Sequence, residues 1–161
     1  MTSKQKEDSA RLLCLLIGAA STLVKSYAPT ILTVLLRTAG SPETSIPVAA
    51  HCVICIGELA RVAGEELVSS ANLILNLVIS MLNDQQSTLK RDAALRTLGQ
   101  LVSNTGTVIQ PYIDHPQLLG ILFRFLRTET SQAIRLETIR TMGMLGALDP
   151  FRHKVSITCP A

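Results

Sequence analysis

Along this chain, long apolar stretches alternate with short polar breaks, and within the stretches Leu, Ile, Val and Ala recur at three- and four-residue steps. That period puts them on one face of an α-helix, whereas a half-buried strand would alternate every second residue. Breaker residues divide the pattern into pairs of helices. The first pair covers roughly 5–25 and 29–38, with Pro29 in a first turn, where its missing N–H costs little. After a loop from Ala39 to Ile46 rich in Gly, Ser, Pro and Thr, Pro47 opens a helix to about Ala63, Gly64 ends it, and a second covers about 66–83. In the third pair, Ser87 or Thr88 caps a helix whose Ala94, Leu98, Leu101 and Val102 form one stripe, while Asp92 and Arg96 pair one turn apart. Gly106 stops that helix, and Asp114-His-Pro-Gln117 has the form of an N-cap with a glutamine at its third helical position, opening a helix to about Arg127. A last helix, about 131–147, ends before Asp149-Pro150.

The second helix of each pair carries apolar residues on more than one side. In Asn72 to Leu82, one stripe is Leu73, Ile74, Leu77, Val78, Met81 and Leu82, and Leu75 and Ile79 fall outside it. A helix buried against its own partner and against the next pair needs so wide a face.

Four glycines give the pattern a longer period. Gly18, Gly57, Gly99 and Gly143 sit late in apolar helical stretches, at spacings of 39, 42 and 44 residues. Each is flanked by aliphatic residues and followed by a break. A glycine inside a helix costs roughly 1 kcal/mol against alanine, so four cost about 4 kcal/mol out of a typical net stability of about 5–15. Close helix packing is the return expected for that cost. Periods of this size mark a helical repeat array, here divided as 1–44, 45–86, 87–130 and an incomplete unit at 131–161.

Composition agrees with helices and narrows the chemistry. Hydrophobic residues make up 47% of the chain and aromatics only 3%, so the core must be filled by Leu, Ile, Val and Ala, and strand signals are weak. The charge-free apolar stretches Leu12 to Val24 and Asn72 to Leu82 are too short for a span of about 20 residues, so no transmembrane helix is expected. The start, MTSKQKEDSARLL, makes a poor secretory signal, and an intracellular, cytoplasmic location is the default expectation.

Catalytic anchors are missing: there is no G-x-S-x-G, H-E-x-x-H, G-x-x-x-x-G-K-[ST] or G-x-G-x-x-G, and Asp149-Pro150-Phe151 is not D-F-G. His51, Cys52 and Cys55 share helical spacing, but a closed zinc site needs four ligands, and Cys14, His115, His153 and Cys159 are scattered. Thiols packed in the core are the simpler reading. No catalytic residue, metal or cofactor is therefore assigned. Residues 87–161 hold nine Lys and Arg against five Asp and Glu, so the second half is basic. Lys90, Arg91, Arg96, Arg124, Arg127, Arg135, Arg140, Arg152 and Lys154 could trace a protein-docking ridge, with a solvated face as the bland alternative. Nucleic-acid binding is disfavoured, since the aromatic platforms for single strands are almost absent.

Three strings carry a family resemblance: IGELARVAGEEL at 56–67, KRDAALRTLGQLVSNTG at 90–106 and MLGALDPFRHKV at 144–155. The repeat frame resembles HEAT repeats, and these strings resemble the amino-terminal solenoid of the target-of-rapamycin serine/threonine kinases. The resemblance implies an all-α, HEAT/armadillo-like α-solenoid of antiparallel helix pairs. It also implies a non-catalytic scaffold, because that family places its kinase domain far downstream. Partners implied by the resemblance are the WD-repeat companion subunit and a second kinase copy, at cytoplasmic and endomembrane surfaces in nutrient-responsive growth control. The alternative is a freestanding helical-repeat adaptor for acidic protein segments or RNA. Uncapped apolar ends, at Leu12, Leu13, Leu15, Leu16 and Ile17 and again at Ile134, Leu136, Ile139, Met142 and Leu145, predict head-to-tail self-association.

Overall fold

Helix follows helix through residues 1–145, which are the residues that the computed structural model describes. They run α1 Ser3–Ala19, α2 Ser21–Gly40, α3 Ile46–Leu67, α4 Ala71–Leu82, α5 Thr88–Thr105, α6 Gln110–Asp114, α7 Gln117–Thr128 and α8 Gln132–Met144, with a 3-10 turn at Val68–Ser70. No strand occurs among the described residues. The predicted helix end before Asp149-Pro150, together with Arg152, His153, Lys154 and Cys159, lies outside them.

Several boundaries follow from local chemistry. Thr2 and Gln5 form a capping box at α1, in which each side chain accepts a hydrogen bond from the other's backbone N–H, at 3.2 and 2.8 Å. Ser87 caps α5 by accepting from Lys90 N at 3.2 Å, and Ser131 caps α8 by accepting from Ile134 N at 3.5 Å. Gly106 ends α5 with φ of 69°, a left-handed conformation in which a side chain would be strained, and its N–H bonds to Val102 O at 3.2 Å.

Other boundaries differ from the sequence pattern. The first pair divides at Ala20 (φ −114°, ψ 41°), and Pro29 lies inside α2. The N–H that Pro29 lacks would have bonded Lys25 O, and both residues face solvent, so water can serve that carbonyl. The break expected at Gly64 is a kink one residue earlier, at Ala63 (φ −135°, ψ 43°), after which the chain stays helical to Leu67. Asp114 does not cap α7: it closes the short α6, where Gln110 Nε2 donates to its carboxylate at 2.8 Å, and Pro116 occupies the cap position without a side-chain bond. On α4 the buried face is wide, as expected, and includes Leu75 and Ile79, but Leu73 is exposed.

Helices α1, α3, α5 and α8 stack in that order as one layer, and α2 packs along α3, α4 along α5 and α7 along α8. The connections inside those pairs are short, at 41–45, 83–87 and 129–131, so each pair is antiparallel. The expected partnerships of α1 with α2 and of α3 with α4 give only slight contact. A single residue or a 3-10 turn redirects the chain there without laying one helix beside the other. The stacked layer is parallel, because contacts climb together: Ser3 with Ser45, Ala10 with Cys55 and Gly18 with Arg61 between α1 and α3, then Val53 with Thr97 and Glu58 with Gln100 between α3 and α5. Helix α3 is the middle of this layer, with Val53, Cys55, Ile56, Leu59 and Ala60 wholly buried.

Glycine sets the spacing in this layer. A side chain at Gly57 would fall on Gln100 Oε1 and stand 3.2 Å from Thr97 Oγ1; at Gly99 it would stand 3.1 Å from Met144 Cε and 3.3 Å from Thr141 Oγ1. Gly18 faces Arg61 at 3.5 Å, an ordinary contact. Open space surrounds Gly143, so the packing role does not extend to it within the described residues. Gly64, read from the sequence only as a helix stop, makes the closest approach to backbone: its Cβ would overlap Asn104 O and lie 2.9 Å from Asn104 C.

By length and composition alone the run Ile46–Leu82 could cross a membrane, although it carries Glu58, Arg61, Glu65 and Glu66. Of its most apolar 18-residue stretch, 61% is buried within the fold, and the run bends at Ala63 and again at 68–70, as the core helices of a folded domain do.

Two substitutions separate packing from helix propensity. Gly64→Ala is expected to lower unfolding free energy by about 1–3 kcal/mol, because the Asn104 backbone must move. Gly143→Ala, facing open space, is expected to raise it by about 0.5–1 kcal/mol. Urea titration of both variants checks this, and a stabilised Gly64→Ala would contradict the close approach.

Candidate docking surfaces

The basic residues do not form one free ridge. Arg91, at the start of α5, is nearly buried, with 12% of its side chain exposed, and its Nε donates to Glu129 Oε1 at 2.5 Å. Its Nη1 donates to the carbonyls of Asp84 and Gln85 at 2.9 and 3.0 Å. Arg91 therefore ties the connection before α5 to the one before α8, and it is an internal staple rather than a docking residue. Lys90 pairs with Asp84 at 3.2 Å. That hydrogen bond from Lys90, with one from the Gln86 N–H, holds the Asp84 carboxyl below its ordinary pKa. Arg124 donates to Asn83 Oδ1 at 3.2 Å and lies over the Phe125 ring, and Arg96 pairs with Asp92 at 3.1 Å. Arg127, Arg135 and Arg140 are exposed and without an ion pair among the described residues. Arg152 and Lys154 lie outside them.

The His51, Cys52, Cys55 group is divided by its neighbours. His51 Nδ1 donates to Pro47 O at 2.8 Å and Nε2 accepts from Arg11 Nε at 3.1 Å, so both ring nitrogens are engaged. Cys52 and Cys55 are buried, and the Cys55 thiol donates to Ala10 O at 3.1 Å. Burial pushes the pKa of both thiols up, that of Cys55 strongly, with the nearby Cys14 adding to the effect. Neither a nucleophile nor a metal-ligating cluster of three residues is assembled among the described residues.

Exposed apolar side chains occur at both ends of the stacked layer, and also on α2, α4 and α7, as Leu23, Tyr27, Leu73, Leu119 and Phe123. On α1, Leu12, Leu15 and Leu16 are exposed; on α8, Leu136 and Ile139 are exposed. Exposed apolar faces of this kind are unusual on an isolated domain.

Comparison with known proteins gives this arrangement a context. The chain is 43% identical over 151 residues to serine/threonine-protein kinase TOR2 of Saccharomyces cerevisiae, which covers 94% of the chain. It is 45% identical over 152 residues to serine/threonine-protein kinase tor1 of Schizosaccharomyces pombe, and 42% identical over 156 residues to serine/threonine-protein kinase mTor of Drosophila melanogaster. The chain belongs to the target-of-rapamycin family. It does so as a segment, for it spans about 6% of the length of the curated relatives it matches and takes in no kinase domain. A family model described as a serine/threonine-protein kinase mTOR domain matches residues 108–159, which begin just before α6 and include α7 and α8. Within this target-of-rapamycin segment, the internal ion pair and the apolar ends are properties of a helical stack, and no chemistry is assigned to them.

Two measurements follow. Replacing Arg91 with Ala leaves the nearly buried Glu129 unpaired and is expected to cost about 3 kcal/mol, whereas Arg127→Ala should stay within about 0.5 kcal/mol; equal effects in urea titration would contradict the staple. Raised thiol pKa values also favour the protonated, folded chain. Stability from Cys52 and Cys55 is therefore complete below the ordinary thiol value of 9.0 and falls as pH rises beyond it. Alkylation at pH 8 should spare both until the chain is unfolded, and native-state labelling at the rate of a free thiol would contradict their burial.

Proposed function

We propose that this chain is a non-catalytic HEAT-type scaffold segment that serves protein–protein docking in a target-of-rapamycin kinase assembly, as part of nutrient-responsive growth signalling in the cytoplasm. The carrying observation is identity of 42–45% with target-of-rapamycin kinases over almost the whole chain. A helical stack with apolar faces at both ends suits that role, because such a segment contributes rigid surface and spacing rather than reacting groups. The partners of this reading are the WD-repeat companion subunit and a second kinase copy. Exposed Arg127, Arg135 and Arg140, on α7 and α8, are among the cations available to them. The rival reading, an adaptor for acidic segments or RNA, needs a continuous basic ridge, and Lys90 and Arg91 are spent inside the fold.

Affinity capture of the tagged chain from cells tests the proposal. The WD-repeat companion is expected to come down with the chain, and less of it when Arg127, Arg135 and Arg140 are all changed to Glu. Recovery of neither the companion nor a target-of-rapamycin kinase, under conditions where the intact kinase captures its companion, would overturn it.

A further inference from the structure

The seam between α1 and α3 holds thiols that the docking reading leaves unused. Cys55, in the middle of α3, is wholly buried and donates to Ala10 O at 3.1 Å. Within α1 the same carbonyl accepts from the backbone N–H of Cys14, one turn farther on. The Cys55 sulfur therefore rests against the turn that carries Cys14, and the two free thiols interact directly. Contacts on either side set this pairing. Ser3 Oγ lies 2.8 Å from Ser45 Oγ toward one end of the seam, and Gly18 faces Arg61 toward the other.

The two sulfurs differ in access. Cys14 is only partly buried, so a small reagent reaches it, whereas Cys55 has no solvent contact and can react only with a neighbour inside the fold. Burial pushes the pKa of both thiols up, which slows attack on outside reagents. Proximity offsets this for the pair, because the second sulfur is already in place. A disulfide bond brings its sulfurs to about 2.05 Å. Helix α1 is free to make that small approach: it packs on α3 and only slightly on α2, and Leu12, Leu15 and Leu16 leave its other face in solvent.

We propose that Cys14 and Cys55 form a reversible disulfide, made by exchange with a low-molecular-weight disulfide such as oxidised glutathione, that locks α1 onto α3. The Cys14 sulfur gives up its proton and attacks one glutathione sulfur; the glutathione S–S bond breaks, and one glutathione leaves as the thiol. Cys14 then carries a mixed disulfide. The Cys55 sulfur attacks the Cys14 sulfur, and the second glutathione leaves with the Cys55 proton. The two protein thiols have lost two electrons, and glutathione disulfide has gained them as two thiols. The bond closes a loop from residue 14 to residue 55 that contains α2, so the end helix of the layer is tied covalently to the middle one. A reducing compartment keeps the thiols free, and a disulfide in that setting works as a transient, redox-sensing link. The proposal concerns the purified chain alone and needs no cellular partner, so its outcome is separate from that of the capture experiment.

Incubating the folded full chain with oxidised glutathione over hours, then blocking free thiols and digesting with trypsin without reductant, tests it by mass spectrometry. The unaltered chain is expected to lose two of its four thiols and to yield peptide 12–25 linked to peptide 38–61, with the link removed by dithiothreitol. Cys52 lies in the second peptide too, so variants decide which sulfur is used. Cys52→Ser should keep the link, and Cys55→Ser should lose it and stop at Cys14 bearing glutathione. Serine keeps a donor for Ala10 O, and circular dichroism confirms that each variant keeps its helices. Hydrogen exchange in α1 should slow in the linked chain and return to its former rate on reduction. Four thiols retained in the unaltered chain, a stop at the mixed disulfide, or a link through Cys159 overturns the proposal. So does a link that persists in Cys55→Ser or disappears in Cys52→Ser.

Discussion

The fold depends on how closely α5 can approach α3. Gly57 removes the side chain that would collide with Gln100, and Thr97 then lies near enough to donate to Val53 O at 2.8 Å. Farther along the same crossing, Gly64 lets the α3 backbone come against that of Asn104. A buried hydroxyl without a partner costs about 1–3 kcal/mol, so Thr97 belongs only where the carbonyl is in reach. At this crossing the glycine and the donor support one another, whereas at the α5–α8 crossing the buried Thr141 hydroxyl beside Gly99 has no hydrogen-bond partner among the described residues. With α3 fixed against α5, the Leu, Ile and Ala side chains on both sides close around the middle of α3, where Val53, Cys55, Ile56, Leu59 and Ala60 have no solvent contact, and α2 and α4 cover the layer from outside.

Repetition of that contact makes the layer extensible. Cys55 repeats the donation with a weaker thiol toward Ala10 O, and Gly99 repeats the close approach toward α8. Each helix is held mainly by its neighbours in the stack, as in solenoids generally, and the two ends keep apolar surface that an isolated domain would bury. For a segment that spans about 6% of its relatives' length, surface of this kind at both ends suits a place within a longer array.

What the sequence made legible was the chemistry that acts locally. Ser87, Gly106 and the Asp92–Arg96 pair did what their spacing predicts, because a cap, a left-handed turn and a one-turn ion pair involve residues within a few positions of one another. The glycine period was legible for the same reason, being a pattern of single residues. Contacts across about forty residues were not. Arg91 read as surface charge, and only folding brings Glu129, 38 residues away, to it. Gly64 read as a stop signal because Asn104, the neighbour that needs its small size, lies on another helix. The break at Ala20 forms no side-chain cap bond, and Pro29 suggested one nine residues too late, since a proline with a solvent-facing gap behind it does not end a helix.

Unfolding of Gly57→Val in urea tests the central constraint most directly. A branched side chain at this crossing must displace Gln100 and push Thr97 from Val53, and the account predicts a loss of about 2–3 kcal/mol of unfolding free energy. Helix propensity alone predicts a small gain from replacing glycine. A variant as stable as the unaltered chain, or more stable, would contradict the claim that close approach of α3 and α5 holds the fold together.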